Sequence, residues 1–124
     1  MNHVLLVAAG GAIGAALRHW TGMISLRLLG QAYPYGTLIV NIVGSLLMGV
    51  FVAWLAKKGG TDNLRLFVAT GLLGGFTTFS AFSLDVVNMI ERGALWPAFG
   101  YISASVLMSV TAIVFGLWFG RAFL

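Results

Sequence analysis

The chain has 124 residues, of which 60% are hydrophobic and only 8% are charged. A soluble domain carries about 25% charged residues, so this composition indicates a membrane protein. Cysteine is absent, which excludes disulfides, cysteine-type zinc sites and thiol chemistry. The seven Lys and Arg residues are scattered and form no basic stripe of the kind that binds nucleic acid, so no nucleic-acid partner is expected.

The first predicted membrane span covers residues 4–28 and the second covers residues 35–56. Each is long enough to cross the ~30 Å hydrocarbon core. Arg18, in the first span, is expected to extend to the membrane interface, with a position inside the protein as the alternative. Asn41 is the one strongly polar side chain of the second span. Its amide either makes an interhelical hydrogen bond or donates to an anion.

The third predicted span covers residues 64–90 and contains the sequence GLLGGFTTFSAFS at residues 71–83. Glycine costs a helix about 1 kcal/mol, and threonine favours a helix cap over a helix interior. We therefore predict a helix that breaks near Gly74 and Gly75 and restarts with Thr77 or Thr78 as its N-cap. Broken helices mark ion and substrate sites in membrane proteins, so this segment is the predicted functional centre.

Several side chains of the restarted helix could serve an anion. Phe79 and Phe82 are three residues apart and share a helix face, as do Ser80 and Ser83. Ring edges carry the positive side of the aromatic quadrupole, so the phenylalanines either pack or present their edges to an anion. Hydroxyl donors from the serines and Thr78, with a helix N-terminus, would add to such a site.

Asp85 is the only carboxylate well inside the third span. A structural or interfacial role is favoured by its place near the helix end. It could also pair with Arg18 or couple transport to protons. If Asp85 couples transport to protons, the protein is a small proton-coupled exporter. A non-transporting helix-packing scaffold is a further alternative for the function of the protein. The sequence contains no nucleophile–base pair or metal set, so an enzyme is not expected.

A fourth predicted span covers residues 96–120, so that residues 1–124 form a single four-span unit. Short loops place similar numbers of basic residues on the two sides of the membrane, and the positive-inside rule needs an asymmetry. Insertion in both orientations, followed by antiparallel two-fold dimerisation, is therefore predicted. One side has four of these residues and the other has three: Lys57, Lys58, Arg65 and Arg121, against Arg18, Arg27 and Arg92.

Three motifs in chain order carry a family resemblance. They are Gly14-Ala15-Ala16-Leu17-Arg18, the sequence GTLIVNIVG at residues 36–44, and the segment at residues 71–83. Together they resemble the Fluc/CrcB family of fluoride channels over essentially the whole chain. The resemblance implies an all-α membrane protein of four transmembrane helices with a broken third helix. It also implies an antiparallel, dual-topology homodimer in the cell (inner) membrane that exports fluoride passively and lowers cytoplasmic fluoride.

The same resemblance implies residue roles. A structural Na⁺ that is not transported would be held by the backbone carbonyls of Gly74 and Thr77. Asn41 and the rings of Phe79 and Phe82 would contact fluoride, with Ser80 on the polar path beside them.

This chain departs from the family's usual Thr-Thr-Phe-Ser-Thr-Phe pattern at one position. Ala81 stands where the pattern has a hydroxyl, which removes one donor from the polar path. Ser109 or Thr111 of the fourth span could supply the missing hydroxyl.

Overall fold

The computed structural model of the protein describes residues 2–124. Four segments are long and apolar enough to cross a membrane, namely His3–Leu29, Tyr35–Lys58, Asp62–Glu91 and Leu95–Phe123. The first two are the continuous helices α1 (His3–Leu29) and α2 (Tyr35–Lys58), and the last is α6 (Leu95–Phe123). The prediction of an all-helical protein with four spans is confirmed.

The third span is built from several helical pieces. It begins with α3 (Asp62–Arg65), continues through a π-helical segment (Leu66–Leu73) and a short turn, α4 (Gly74–Phe76), and resumes as α5 (Phe79–Glu91). The π-helical segment was not predicted from the sequence. In it the hydrogen bonds lengthen to the i→i+5 pattern, so that the N–H of Gly74 reaches the carbonyl of Ala69.

Extended backbone separates α4 from α5. Thr77 has φ −84° and ψ 160°, and Thr78 has φ −152° and ψ 125°. Gly74 has φ −63° and ψ −38°, so the helical path passes through the glycines and leaves the helix only after Phe76. Thr78 is the N-cap of α5, because its Oγ1 accepts the N–H of Ala81 at 3.1 Å.

Two helix pairs dominate the packing: α2 lies along α6, and α1 lies against the π-helical segment and α4. In the second pair the backbones are in close contact. A Cβ added at Gly75 would lie 2.7 Å from the carbonyl oxygen of Gly11, and one added at Gly71 would lie 2.9 Å from the carbonyl oxygen of Val7. Small residues permit this approach, and it fixes the third span against α1.

A small cluster of buried side chains joins α5 to α6. Met89, Ala98 and Tyr101 are its fully buried members, and Phe82 packs against them. Many of the other large apolar side chains are exposed, as expected for helices surrounded by lipid. The cluster packs α5, from Phe82 to Met89, against the first two turns of α6 at Ala98 and Tyr101.

Candidate functional site

A groove of about 430 Å³ runs between α2, the extended residues and α6. The residues that line it carry no formal charge. Two aromatic rings, Phe79 and Phe82, line it together with a set of polar residues: Asn41, Ser45, Thr77, Thr78, Ser105 and Ser109. The groove therefore combines amide, hydroxyl and aromatic groups without a fixed cation or anion.

Asn41 forms a reciprocal pair of hydrogen bonds with the backbone of Thr78. Its Oδ1 accepts the N–H of Thr78 at 2.8 Å, and its Nδ2 donates to the carbonyl oxygen of Thr78 at 3.0 Å. The first bond satisfies a backbone N–H that the extended conformation removes from the helix, as a lipid environment requires, and the second reaches the carbonyl of the residue that caps α5. An asparagine amide has two N–H donors, so one remains for a ligand in the groove.

Arg18 is directed into the protein rather than to the membrane interface favoured from the sequence. Its Nε donates to the carbonyl oxygen of Gly75 at 3.0 Å. The alternative pairing of Arg18 with Asp85 is not observed among residues 2–124. Asp85 instead accepts a hydrogen bond at 3.0 Å from the hydroxyl of Tyr101. Both residues thus hold helices together.

The aromatic side chains form a short row from the groove to the α5–α6 cluster. The ring centroids of Phe79 and Phe82 are 5.5 Å apart with an interplanar angle of 49°, and those of Phe82 and Tyr101 are 5.3 Å apart. Phe79 is 78% exposed in the single chain. Its ring is therefore open to a ligand or to another protein surface on one side.

The serines predicted from the sequence are placed differently from one another. Ser80 is exposed, and its Oγ lies 3.3 Å from Oγ1 of Thr78. The hydroxyl of Ser83 donates to the carbonyl of Phe79 at 3.0 Å. Neither serine is among the residues that line the groove, although Thr78 is.

Two hydroxyls of α6 do line the groove. The Oγ atoms of Ser105 and Ser109 are buried and have no hydrogen-bond partner among residues 2–124. Of the two replacements suggested for the hydroxyl missing at Ala81, Ser109 therefore lies on the groove, whereas Thr111 is exposed and does not line it. Sequence reasoning missed Ser105. The spacing of four residues between the serines, which places both on one helix face, was the available signal.

A second, larger cavity of about 680 Å³ opens between α1, the loop before α2 and the end of α5. Unlike the groove, it is lined by charges of both signs, including Asp85, Glu91 and Arg92. Tyr33 lies in the loop at this cavity, and burial, with a smaller effect of Tyr35, raises the pKa of its hydroxyl. The shift favours the neutral hydroxyl of Tyr33, which is a hydrogen-bond donor at this cavity.

Comparison with known proteins shows the family of this chain. The family model described as CrcB-like protein, Camphor Resistance (CrcB), matches residues 5–117. The chain belongs to this family. It is 57% identical over 122 residues to a protein of Mesorhizobium japonicum named fluoride-specific ion channel FluC, covering 98% of each chain. Proteins of the same name from Hyphomonas neptunium (54% over 123 residues, 98% of this chain and 97% of the relative) and a Chelativorans species (53% over 125 residues, 100% of each) are also similar.

Proposed function

We propose that this CrcB-family protein is a fluoride-specific ion channel, through which fluoride leaves the cell passively and cytoplasmic fluoride is lowered. The name shared by its relatives supports this function. The observation that carries it is the convergence of Asn41, the rings of Phe79 and Phe82, and two serine hydroxyls on one uncharged groove, where the hydroxyls have no partner within the described residues 2–124. Transport, not catalysis, is the activity.

The chemistry of the groove suits a small, strongly hydrated anion. Fluoride can enter only where protein donors replace its water, and conduction requires binding that is weak enough to release the ion at several successive sites. The free amide hydrogen of Asn41 and the hydroxyls of Ser105 and Ser109 are such donors, and the ring edges of Phe79 and Phe82 add weak positive potential. A lysine or arginine in the groove would hold the ion more tightly.

The working unit is an antiparallel, dual-topology homodimer of multi-pass subunits in the inner membrane. The interruption of the third span at Thr77 and Thr78 takes part in its function. Nearly balanced basic residues support insertion in both orientations. The Phe79 ring is exposed in the single chain and borders the polar groove. A side chain in this position is better covered by a protein partner than by lipid, which suits a purely apolar face. A second copy would bring two interruptions together near the middle of the membrane.

The family also implies a structural Na⁺, and the oxygen atoms present fit this ion. Carbonyls at the end of a helix lack intrahelical partners, and α4 ends immediately before Thr77. Within residues 2–124, no three His, Asp or Glu side chains are grouped as metal ligands, so backbone oxygens are the suitable donors. The carbonyls of Gly74 and Thr77 would hold the ion. Once bound, the ion would offset the repulsion between facing carbonyl dipoles without being transported.

Fluoride efflux from reconstituted liposomes tests the function. Vesicles loaded with potassium fluoride or potassium chloride are made permeable to K⁺ with valinomycin, and the released anion is measured with an ion-selective electrode. We expect rapid fluoride release, chloride retention and no effect of collapsing a proton gradient. Release no faster than from protein-free vesicles would contradict the channel, and release that requires a proton gradient would favour the proton-coupled exporter, which the relatives do not support.

A further inference from the structure

Two backbone N–H groups at the interruption are diverted from the carbonyls that a continuous helix would offer them. In an α-helix each carbonyl accepts from the N–H four residues later. The carbonyl of Gly74 would thus receive the N–H of Thr78, and the carbonyl of Thr77 would receive that of Ala81. The N–H of Thr78 instead donates to Oδ1 of Asn41 at 2.8 Å, and that of Ala81 donates to Oγ1 of Thr78 at 3.1 Å.

Neighbouring carbonyls of the same segment are occupied. The carbonyl of Leu73 accepts both the N–H and the hydroxyl of Thr77, each at 3.1 Å. The carbonyl of Gly75 accepts from Arg18, and the carbonyl of Thr78 accepts from Asn41, each at 3.0 Å. Side chains around the interruption therefore decide which oxygen atoms are filled and which lose their helical donor.

We propose that Asn41 and Thr78 are positioning residues for the cation site. Each side chain withholds one N–H group, so that the carbonyls of Gly74 and Thr77 stay free for Na⁺. This inference rests on the proposed sodium site and deepens it. It also gives Asn41 two tasks, because the amide that lines the groove through one hydrogen shapes the cation site through its oxygen. Ion pathway and cation site thus share a side chain.

Removing the acceptor oxygen of Asn41 or of Thr78 should redirect one N–H group to one particular carbonyl. In a bilayer a backbone N–H that loses its acceptor must find another. Without the Asn41 oxygen, the N–H of Thr78 has the carbonyl of Gly74 as its helical partner. Without the Thr78 hydroxyl, the N–H of Ala81 has the carbonyl of Thr77. Either new bond extends a helix across the interruption and takes up an oxygen that Na⁺ would need.

The test measures sodium binding through stability rather than transport. The purified full chain in detergent is heated at a series of Na⁺ concentrations, with N-methyl-D-glucamine keeping the ionic strength constant. Because a ligand that binds the folded state raises its stability according to concentration over Kd, the thermal midpoint reports the apparent affinity. We expect Asn41→Ala and Thr78→Val to require at least tenfold more Na⁺ than the parent. Phe82→Ile changes the groove but leaves the acceptors of both N–H groups in place. Its thermal midpoint should therefore rise over the same range of Na⁺ concentration as that of the parent.

Each outcome bears on the inference. Parental sodium affinity in Asn41→Ala or in Thr78→Val would overturn it, and Thr78→Val alone decides if Asn41→Ala does not fold. An equal loss of affinity in Phe82→Ile would also overturn it, since the effect would then be a general one. A parent protein that does not respond to Na⁺ would remove both the inference and the sodium site. Fluoride efflux, measured separately, would still decide the channel function.

Discussion

Gly75→Ala tests the close contact between α1 and the third span, on which the position of the interruption depends. The added methyl group would lie 2.7 Å from the carbonyl oxygen and 3.0 Å from the Cα of Gly11. These are backbone atoms, which move only if the helices separate. Overpacking typically costs about 1–3 kcal/mol, and alanine recovers up to about 1 kcal/mol of helix propensity over glycine. The two ranges together allow a net loss of about 0–3 kcal/mol, and we expect a value near the middle, about 1–2 kcal/mol, in the free energy of unfolding.

Gly11→Ala is the matched control, because it alters the other side of the same contact. A Cβ at Gly11 would have only the carbonyl oxygen of Gly71 within reach, at an ordinary 3.9 Å. This variant should be as stable as the parent or slightly more so. Unfolding by sodium dodecyl sulfate in mixed micelles, followed by circular dichroism, gives the comparison. Equal stability of Gly75→Ala and Gly11→Ala would refute the packing described for α1.

Three further outcomes are expected. Phe79→Ile and Phe82→Ile keep apolar bulk but lose the ring edge, so fluoride efflux should fall at least tenfold. Both variants should elute from a size-exclusion column at the volume of the parent protein. Unchanged efflux would mean that the rings only pack. Tyr101→Phe removes the hydroxyl that donates to Asp85 and should lower the free energy of unfolding by about 1.5–3 kcal/mol, a loss that should be absent when Asp85 is already replaced by Ala, which has no acceptor. Arg27→Ala combined with a lysine added to the opposite loop should bias insertion to one orientation, as read by labelling of the termini, whereas the parent should label from both sides.

The spans could be predicted because their ends are marked by charge and by turn residues. Lys57 and Lys58 followed by glycine end α2, and Glu91 and Arg92 followed by glycine end α5. The interruption of the third span lies after the glycines that suggested it. Glycine lowers helix propensity, but the extended conformation occurs at Thr77 and Thr78, where the side chains of Asn41 and Thr78 accept N–H groups in place of helix carbonyls.

Contacts across helices could not be predicted in the same way. Asn41 and Thr78 are 37 residues apart, and their pairing depends on how far each helix is rotated about its axis. A helix that is apolar on all sides gives little indication of that rotation. For the same reason, the hydrogen bond from Arg18 to Gly75 and the position of Ser105 on the groove could not be predicted. The π-helical segment likewise has no local sequence signal, although it lies where α1 packs closely against the third span.

The reversal potential of single-protein currents in a planar bilayer tests the fluoride pathway most directly. With a tenfold fluoride gradient and equal chloride on both sides, we expect reversal at the fluoride equilibrium potential, about 59 mV for a monovalent ion. An imposed pH gradient should leave this value unchanged. Reversal near zero, where chloride is at equilibrium, or a reversal potential that follows pH, would contradict a passive fluoride channel.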